Sequence, residues 1–404
     1  MHDVLKGIRV IEVAQYVFVP TATAVLAEWG AEVVKVEPPR TGDAYRGLRR
    51  TGPLAISGPV NFAIEHANRG KRSVGIDLAN PAGREALDLL IRSADVFATN
   101  LLPDSRARLR LELEQVRATN PRIVYARGTG LGERGPERNR GGYDYATFWA
   151  RAGSALGATP AGASVPAPMP SGAYGDSTAG LVLAGGVAAA LLARERTGVA
   201  PVVDLSLLGL GMWSMASAIA GSLAQHEPWR AMQRVPATNA LAGTYRTRDG
   251  RWIALVCLQG FHQWPAFCRC VGRPEWIGDP RFASAEAFGE NTAACAALLD
   301  ELFAGATLAE WRATLASFSG VWEVAQDTLE VARDPQTVAN GYVADVAAGD
   351  GTSFQLVTSP VQFDERPARP RRAPEAGEHT EEVLLEQGMD WDRIAALRAA
   401  GAIG

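Results

Sequence analysis

The sequence predicts an α/β protein with a large domain built on a parallel sheet and a smaller α+β domain. Three observations predict it. Strand-like and helix-like segments alternate from Gly7 to Gly130, the pattern of βαβ units. From about residue 228 to 330 the character changes to short helices, several Trp residues and a hairpin. After 330, strand and helix patterns return. The expected boundaries are 1–227 for the first part of the large domain, 228–330 for the small domain, and 331–404 for a return segment completing the large one. A chain of 404 residues accommodates two or three domains.

Gly7–Val13 reads as the first strand. A helix follows with Pro20 in its first turn, where the missing N–H costs nothing. Gly30 stops it, and the β-branched run Ala31–Val36 is the second strand. Ser73–Ile76 is a strand, and Asn80-Pro81 opens a helix through Ile91 with Asn as N-cap and Pro at the first position. Asp95–Thr99 is a strand, Ser105–Ala118 a helix, and Arg122–Ala126 a strand ending in Gly128-Thr-Gly130. Gly157–Gly172, small and Pro-rich, is a loop beside the site. An apolar helix spans roughly Ser177–Arg194, and Val202–Leu205 is a further strand. Tyr245–Val256 forms a hairpin with Asp249-Gly250 at its turn. A helix from about Thr380 closes the chain.

Several functions are excluded or disfavoured. The formal net charge of -4 gives no basic field for nucleic acid, and aromatics are not interleaved with basic runs. The four cysteines make no C-x-x-C pair, so neither a metal site nor a disulfide framework is expected. No signal peptide is visible at the N-terminus, and reduced thiols fit the cytoplasm. Leu205–Gln225 is uncharged and long enough to span a membrane, but its Gly and Ser content and missing basic flanks point to a buried or interface helix. G-x-G-x-x-G after the first strand, the P-loop pattern and G-x-S-x-G are all absent.

The segment Ser171-Gly-Ala-Tyr-Gly-Asp176-Ser-Thr-Ala-Gly180 sets a carboxylate between a glycine-containing loop and an apolar helix. Such a carboxylate can attack a thioester carbonyl, and the free N–H groups of a helix start can hold the oxyanion. Equally, an Asp before a helix is a common N-cap. Gly141-Gly-Tyr143-Asp144 has two readings as well: a backbone that closely approaches a ligand or neighbour, or a loop leading to a capped helix over Tyr145–Gly153. Lys71, Arg72, Arg106, Arg108, Arg138 and Arg140 lie near loops or strand ends, as phosphate ligands or as surface charge. Phe18, Tyr143, Phe148 and Trp149 either line an apolar pocket or pack the core.

Together these pieces resemble the class III CoA-transferase family. The resemblance runs nearly end to end. It is carried by Leu5-Lys-Gly-Ile-Arg-Val-Ile-Glu12, Gly30-Ala-Glu-Val-Val-Lys-Val-Glu37-Pro38 with Gly42-Asp43, and Asn68-Arg-Gly-Lys-Arg-Ser73. Ala94-Asp95 to Asn100, Gly141–Asp144, Gly175-Asp176, Arg196-Thr-Gly198, Asp279-Pro-Arg-Phe282 and Ala373–Thr380 complete it. The resemblance implies a large doubly wound, Rossmann-like domain, a smaller domain, and a homodimer of interlocked rings. It implies acyl-CoA and small carboxylic acids as substrates, with no metal, no nucleic acid partner and no membrane. It places the nucleophile at Asp176 and CoA contacts at Val17, Phe18, Ile76, Asn100, Leu101 and Arg108. Tyr143, Asp144, Phe148 and Arg151 fall beside the acyl site, where Arg151 is either an acceptor-carboxylate partner or structural. Val17-Phe18 stands where the formyl-CoA enzymes have Gln-Ala, which speaks against formate and oxalate. Two other activities fit the same fold. An acyl-CoA racemase exchanges an α-proton, but here Tyr143 replaces the His of that branch, and an unperturbed tyrosine is a poor base. A non-catalytic CoA-binding protein is the other.

Overall fold

The structure is a computed structural model and describes residues 3–58 and 60–404. The chain separates into two compact units. The larger comprises residues 1–157, 165–229 and 335–404, and the smaller 158–164 and 230–334.

The larger unit is organised by a six-stranded sheet: β1 (Arg9–Val13), β2 (Glu32–Glu37), β3 (Arg72–Gly75), β4 (Val96–Thr99), β5 (Val124–Thr129) and β6 (Val202–Ser206). Its order is β3-β2-β1-β4-β5-β6, and every pairing is parallel. This is the doubly wound dinucleotide-fold order, whose direction reverses between β1 and β4. Inner strands such as VFAT in β4 are buried along their full length, as expected of a sheet covered on both faces. On one face, α1 (Phe18–Glu28) packs with Val10, Val96 and Val124 and with Leu183 and Val187 of the long helix near the middle of the chain. The other face buries Ile11, Val34 and Phe97 against α3 (Pro81–Arg92). The closing segment contributes Leu384, Ile394 and Ile403 to the same cluster. α2 (Phe62–Asn68) connects β2 to β3.

The expected strands all form, with ends shifted by at most three residues. α1 begins two residues before Pro20, which keeps the proline inside the first turn. Asn80 caps α3 as expected, accepting from the Ala82 N–H at 3.0 Å. The single helix expected over Ser105–Ala118 is instead two, α4 (Pro103–Arg108) and α5 (Leu113–Thr119). Arg110 takes a left-handed φ of 56° between them, and the buried Arg106 guanidinium reaches Leu101 O, Glu112 and Glu133. That pairing gives Arg106 a structural task rather than surface or phosphate contact.

Helix α6 (Tyr174–Thr197) runs three residues further than expected at each end. By length and composition it could cross a membrane, yet it lies along α1 and the sheet. The apolar run Leu205–Gln225 breaks into the end of β6, α7 (Leu207–Ser214) and α8 (Ala216–Gln225), the two helices bent by 73°. Strands β7 (Val343–Ala347) and β8 (Ser353–Val357) form a hairpin, followed by α9 (Thr380–Glu386) and α10 (Trp391–Ala399).

The smaller unit has a three-stranded antiparallel sheet of Thr244–Arg246, Trp252–Leu255 and Trp322–Val324. Its hairpin turns at Gly250, φ 78°, as the Asp-Gly pair requires. Trp264, Phe267, Phe303 and Trp311 fill its core together with Cys257, Cys268 and Cys295.

Candidate active site

A buried ionic network joins β1 and β2 to the residue before β3 and to the loop after β2. Glu12 at the end of β1 accepts from Lys35 of β2 and from Lys71, each at 2.7 Å. Lys35 also meets Asp43 at 2.8 Å, and the Asp43 N–H donates to Glu37, which pairs with Arg46 at 2.7 Å. Burial pushes the Glu12 carboxyl up, but the two lysine charges outweigh it and hold it below its ordinary value. Burial takes the Lys71 ammonium down to about 7 despite Glu12 beside it. Lys71 is thus a structural cation, neither surface charge nor a phosphate ligand.

This network sets the loop after β1. The second Asp43 oxygen accepts from the N–H groups of Tyr16 at 3.1 Å and Tyr45 at 2.9 Å. Asn100, at the end of β4, clasps Gln15 by accepting from its N–H at 3.0 Å and donating to its carbonyl at 2.6 Å. Tyr16 is held at φ 64°, a strained conformation for a non-glycine residue. The loop is therefore fixed across the strand-order reversal, where doubly wound sheets bind ligands.

Asp176 occupies the third position of α6 and does not cap it. The cap residue is Ala173, left-handed at φ 61°. Asp144 does the capping from outside: its carboxylate accepts from the Gly175 N–H at 3.0 Å and the Asp176 N–H at 3.4 Å. Two consequences follow. Two of the helix-start amides expected to hold an oxyanion, those of Gly175 and Asp176, are already occupied. Asp176 is also released from capping, and among the described residues its carboxylate has no hydrogen-bond or ion-pair partner. Burial, with the Asp144 charge added, pushes Asp176 up to about 7. Asp144 itself is raised by burial, against the pull of the two amides.

Glycines let these pieces meet. A Cβ on Gly142 would lie 2.6 Å from Thr147 and 3.0 Å from Gly130, so the Gly141-Gly142 segment abuts the end of β5. The close approach expected of that pair is to the chain's own backbone. A Cβ on Gly175 would strike the Phe148 ring at 2.4 Å. The turn over Tyr145–Arg151 is a π-helix, a form that concentrates at functional sites.

Two cavities open at the strand ends, sharing Gln15, Leu101 and Ser105. One, of about 310 Å³, holds Asp176 together with Phe18, Asn100, Leu101 and Tyr143. The other, of about 230 Å³, is lined by Ile76, Leu101 and Arg108. Arg108 is exposed and pairs with no group among the described residues. The remaining predicted residues lie elsewhere. Val17 is buried at the start of α1 and lines neither cavity. Phe148 is buried beneath Gly175, in the core shared by α1 and α6. Trp149 donates to Ala167 O at 2.8 Å. Arg151 and Arg140 both pair with Glu137, and Arg72 pairs with Glu386. Arg138 is exposed on a separate polar cavity.

Sequence reasoning missed several neighbours of Asp176. The Tyr16 ring packs edge-on against Tyr143 at 5.6 Å and against Tyr45 at 6.2 Å. Burial, and next to it the charge of Asp176, push the Tyr45 phenol up to about 12. His66, isolated in the sequence, meets Ser177 Oγ at 2.9 Å and is lowered to about 4 by burial. Only Asp43 carried a signal, as part of Gly42-Asp43.

The profile of CoA-transferase family III matches residues 5–380. The chain is 31% identical to (R)-2-hydroxy-4-methylpentanoate CoA-transferase of Clostridioides difficile, covering 96% of this chain and 97% of that protein. It is 31% identical to the succinate–glutarate CoA-transferase of Agrobacterium fabrum over 95% of both chains. A solved CAIB/BAIF family protein from Brucella suis superposes with a TM-score of 0.80 at 27% identity, over 95% of this chain and 99% of that one. The fold, the cavities at the switch point and these likenesses agree: the chain belongs to CoA-transferase family III and is a class III CoA-transferase.

Proposed function

We propose that the enzyme moves CoA from an acyl-CoA donor to a carboxylic acid acceptor through covalent intermediates on Asp176. The observation that carries this reading is the unpartnered, half-buried Asp176 carboxylate in the cavity adjoining the Arg108 cleft. A carboxylate without hydrogen bonds keeps its lone pairs for attack.

An Asp176 oxygen attacks the thioester carbonyl carbon, and collapse of the oxyanion breaks the C–S bond, giving an acyl–aspartyl anhydride and CoA thiolate. The thiolate attacks the aspartyl carbonyl, forming an aspartyl-CoA thioester and releasing the donor acid as carboxylate. An acceptor carboxylate attacks that thioester, re-forming an anhydride and thiolate. The thiolate then attacks the acceptor's carbonyl, which yields the new acyl-CoA and restores Asp176. Electrons and atoms balance without metal or redox chemistry. The Asp144 charge disfavours ionised Asp176 and so raises the basicity of the attacking oxygen. With the Gly175 and Asp176 amides taken by Asp144, the N–H groups of Gly141 and Gly142 are backbone donors at this cavity with no partner among the described residues. Arg108 beside Ile76 and Leu101 supplies charge and apolar surface for the phosphate and adenine parts of CoA. The homodimer and a cytoplasmic location belong to the same proposal, and sedimentation would test the first.

The test is to incubate the protein with acyl-CoA donors, quench with hydroxylamine, and map the modified residue by mass spectrometry. Hydroxamate at Asp176 is expected, and Asp176→Ala should lose transfer while keeping its circular dichroism. Near-normal turnover by Asp176→Ala would refute the assignment.

A further inference from the structure

The first turn of α6 is held on both of its polar sides. Asp144 accepts from the amides of Gly175 and Asp176. On the carbonyl side, Ala173 O accepts from the Ser177 N–H at 2.9 Å and from the Ser177 hydroxyl at 2.7 Å. Ala173 is left-handed at φ 61°, a conformation that alanine keeps only where its surroundings enforce it. Relaxation of that one residue would re-aim the turn, and with it the Asp176 carboxylate.

The enforcement reaches beyond α6. His66 Nε2 lies 2.9 Å from Ser177 Oγ, the one hydrogen bond between α2 and α6 among the described residues. A hydroxyl has a single proton, and this one goes to Ala173 O, so Nε2–H is the donor and Ser177 Oγ its acceptor. Burial, and after it the Arg69 charge, bring the imidazole down to about 4, so the ring is neutral at ordinary pH and serves as a fixed donor. α2 gives that ring a firm base. Lys71 donates to Ala67 O at 2.9 Å and to Asn68 Oδ1 at 3.0 Å. Arg69 pairs with Glu28 and donates to the His66 carbonyl, and Glu65 accepts from the Ala373 N–H at 2.6 Å. The ionic network at Glu12 thus continues through Lys71 and α2 to the helix that carries Asp176.

Resting on the proposed function, we propose that His66 is a positioning residue for the transfer reaction. Its Nε2–H locks the Ser177 hydroxyl onto Ala173 O, and this fixes the aim of the Asp176 carboxylate at the thioester carbonyl. The ring is not part of the Asp176 cavity wall, so it acts through Ser177. Its loss should therefore slow the chemical step and leave acyl-CoA binding intact.

The test uses the full-length enzyme. Acetyl-CoA, phenylacetyl-CoA and succinyl-CoA are first screened on the wild type by hydroxylamine quench and mass spectrometry at Asp176, and the donor that labels fastest is kept. Its single-turnover labelling rate, kcat and KM are then measured for His66→Phe, His66→Gln, Ser177→Ala and the His66→Phe/Ser177→Ala double variant. His66→Phe keeps a ring and loses the donor, so labelling rate and kcat should fall about tenfold or more with KM within about twofold. His66→Gln brings an amide N–H close to the place of Nε2 and should recover both rates to within about threefold of wild type. Ser177→Ala, which a helix tolerates, should lose as much as His66→Phe, and the double variant no more than either alone. Ser177→Ala breaks the same link from the other side, so it decides the outcome even where His66→Phe does not fold. Undiminished labelling in either single variant, a raised KM at unchanged kcat, additive losses, or a Gln variant no better than Phe would overturn the positioning role while leaving Asp176 as nucleophile. Absence of Asp176 labelling in the wild type with all three donors would overturn the nucleophile assignment and the positioning role with it.

Discussion

Replacing Asp176 with Asn keeps the side chain's shape and removes its charge, so the variant measures what the folded protein sacrifices to hold that carboxylate. Burial and Asp144 raise Asp176 from an ordinary 3.8 to about 7. As pH rises, the unfolded chain gives up this proton first, so the native state loses stability from about pH 4 and the loss levels off above about pH 7. The sign is that of an acid with a raised folded pKa, opposite to a salt-bridged carboxylate. A difference of roughly 3 units at about 1.4 kcal/mol each gives ~4 kcal/mol at pH 8. Asn does not titrate. Asp176→Asn should therefore match the wild type near pH 4 and exceed it by ~4 kcal/mol at pH 8. Urea unfolding followed by circular dichroism at several pH values would measure this. A stability difference independent of pH, or an Asn variant no more stable at pH 8, would show that Asp176 is not held under electrostatic stress. The same variant should have lost transfer, the expected trade of stability for function.

Other substitutions probe the surrounding structure. Asp144→Asn keeps an acceptor for the α6 amides but removes the charge behind Asp176, so the acid limb of kcat/KM should move to lower pH. A pH–rate profile checks this, and an unmoved limb would mean Asp144 is a cap alone. Glu12→Gln removes the carboxylate shared by the buried Lys35 and Lys71 and should cost about 3–5 kcal/mol in urea unfolding, because Lys35 keeps its charge with only part of its compensation and Lys71 must give up its proton. Ala173→Gly should stabilise by about 1 kcal/mol, since glycine adopts the φ of 61° without the Cβ penalty. A melting temperature that falls would contradict that account.

The sequence by itself determined the large fold. Alternating β-branched runs and capped helices such as Asn80-Pro81 are local signals, and six parallel strands followed from them because parallel neighbours need helical crossovers. It also singled out Asp176, set between a glycine-containing loop and an apolar helix, whereas Asn100 came into view, and Arg108 was set apart from five other basic residues, only with the family resemblance. Tertiary structure alone decided the state of those groups. Whether Asp176 caps its helix depended on Asp144, thirty-two residues earlier in the chain, reaching the same amides. Whether Lys71 and Arg106 serve phosphate or structure depended on Glu12 and Glu133, brought to them only by packing. The Tyr16–Tyr143 ring contact joins residues far apart in sequence with no shared motif. The physical reason is the range of the forces: backbone preference acts over a few residues and is written locally, whereas burial, charge pairing and aromatic contact act through space and exist only once the chain has folded.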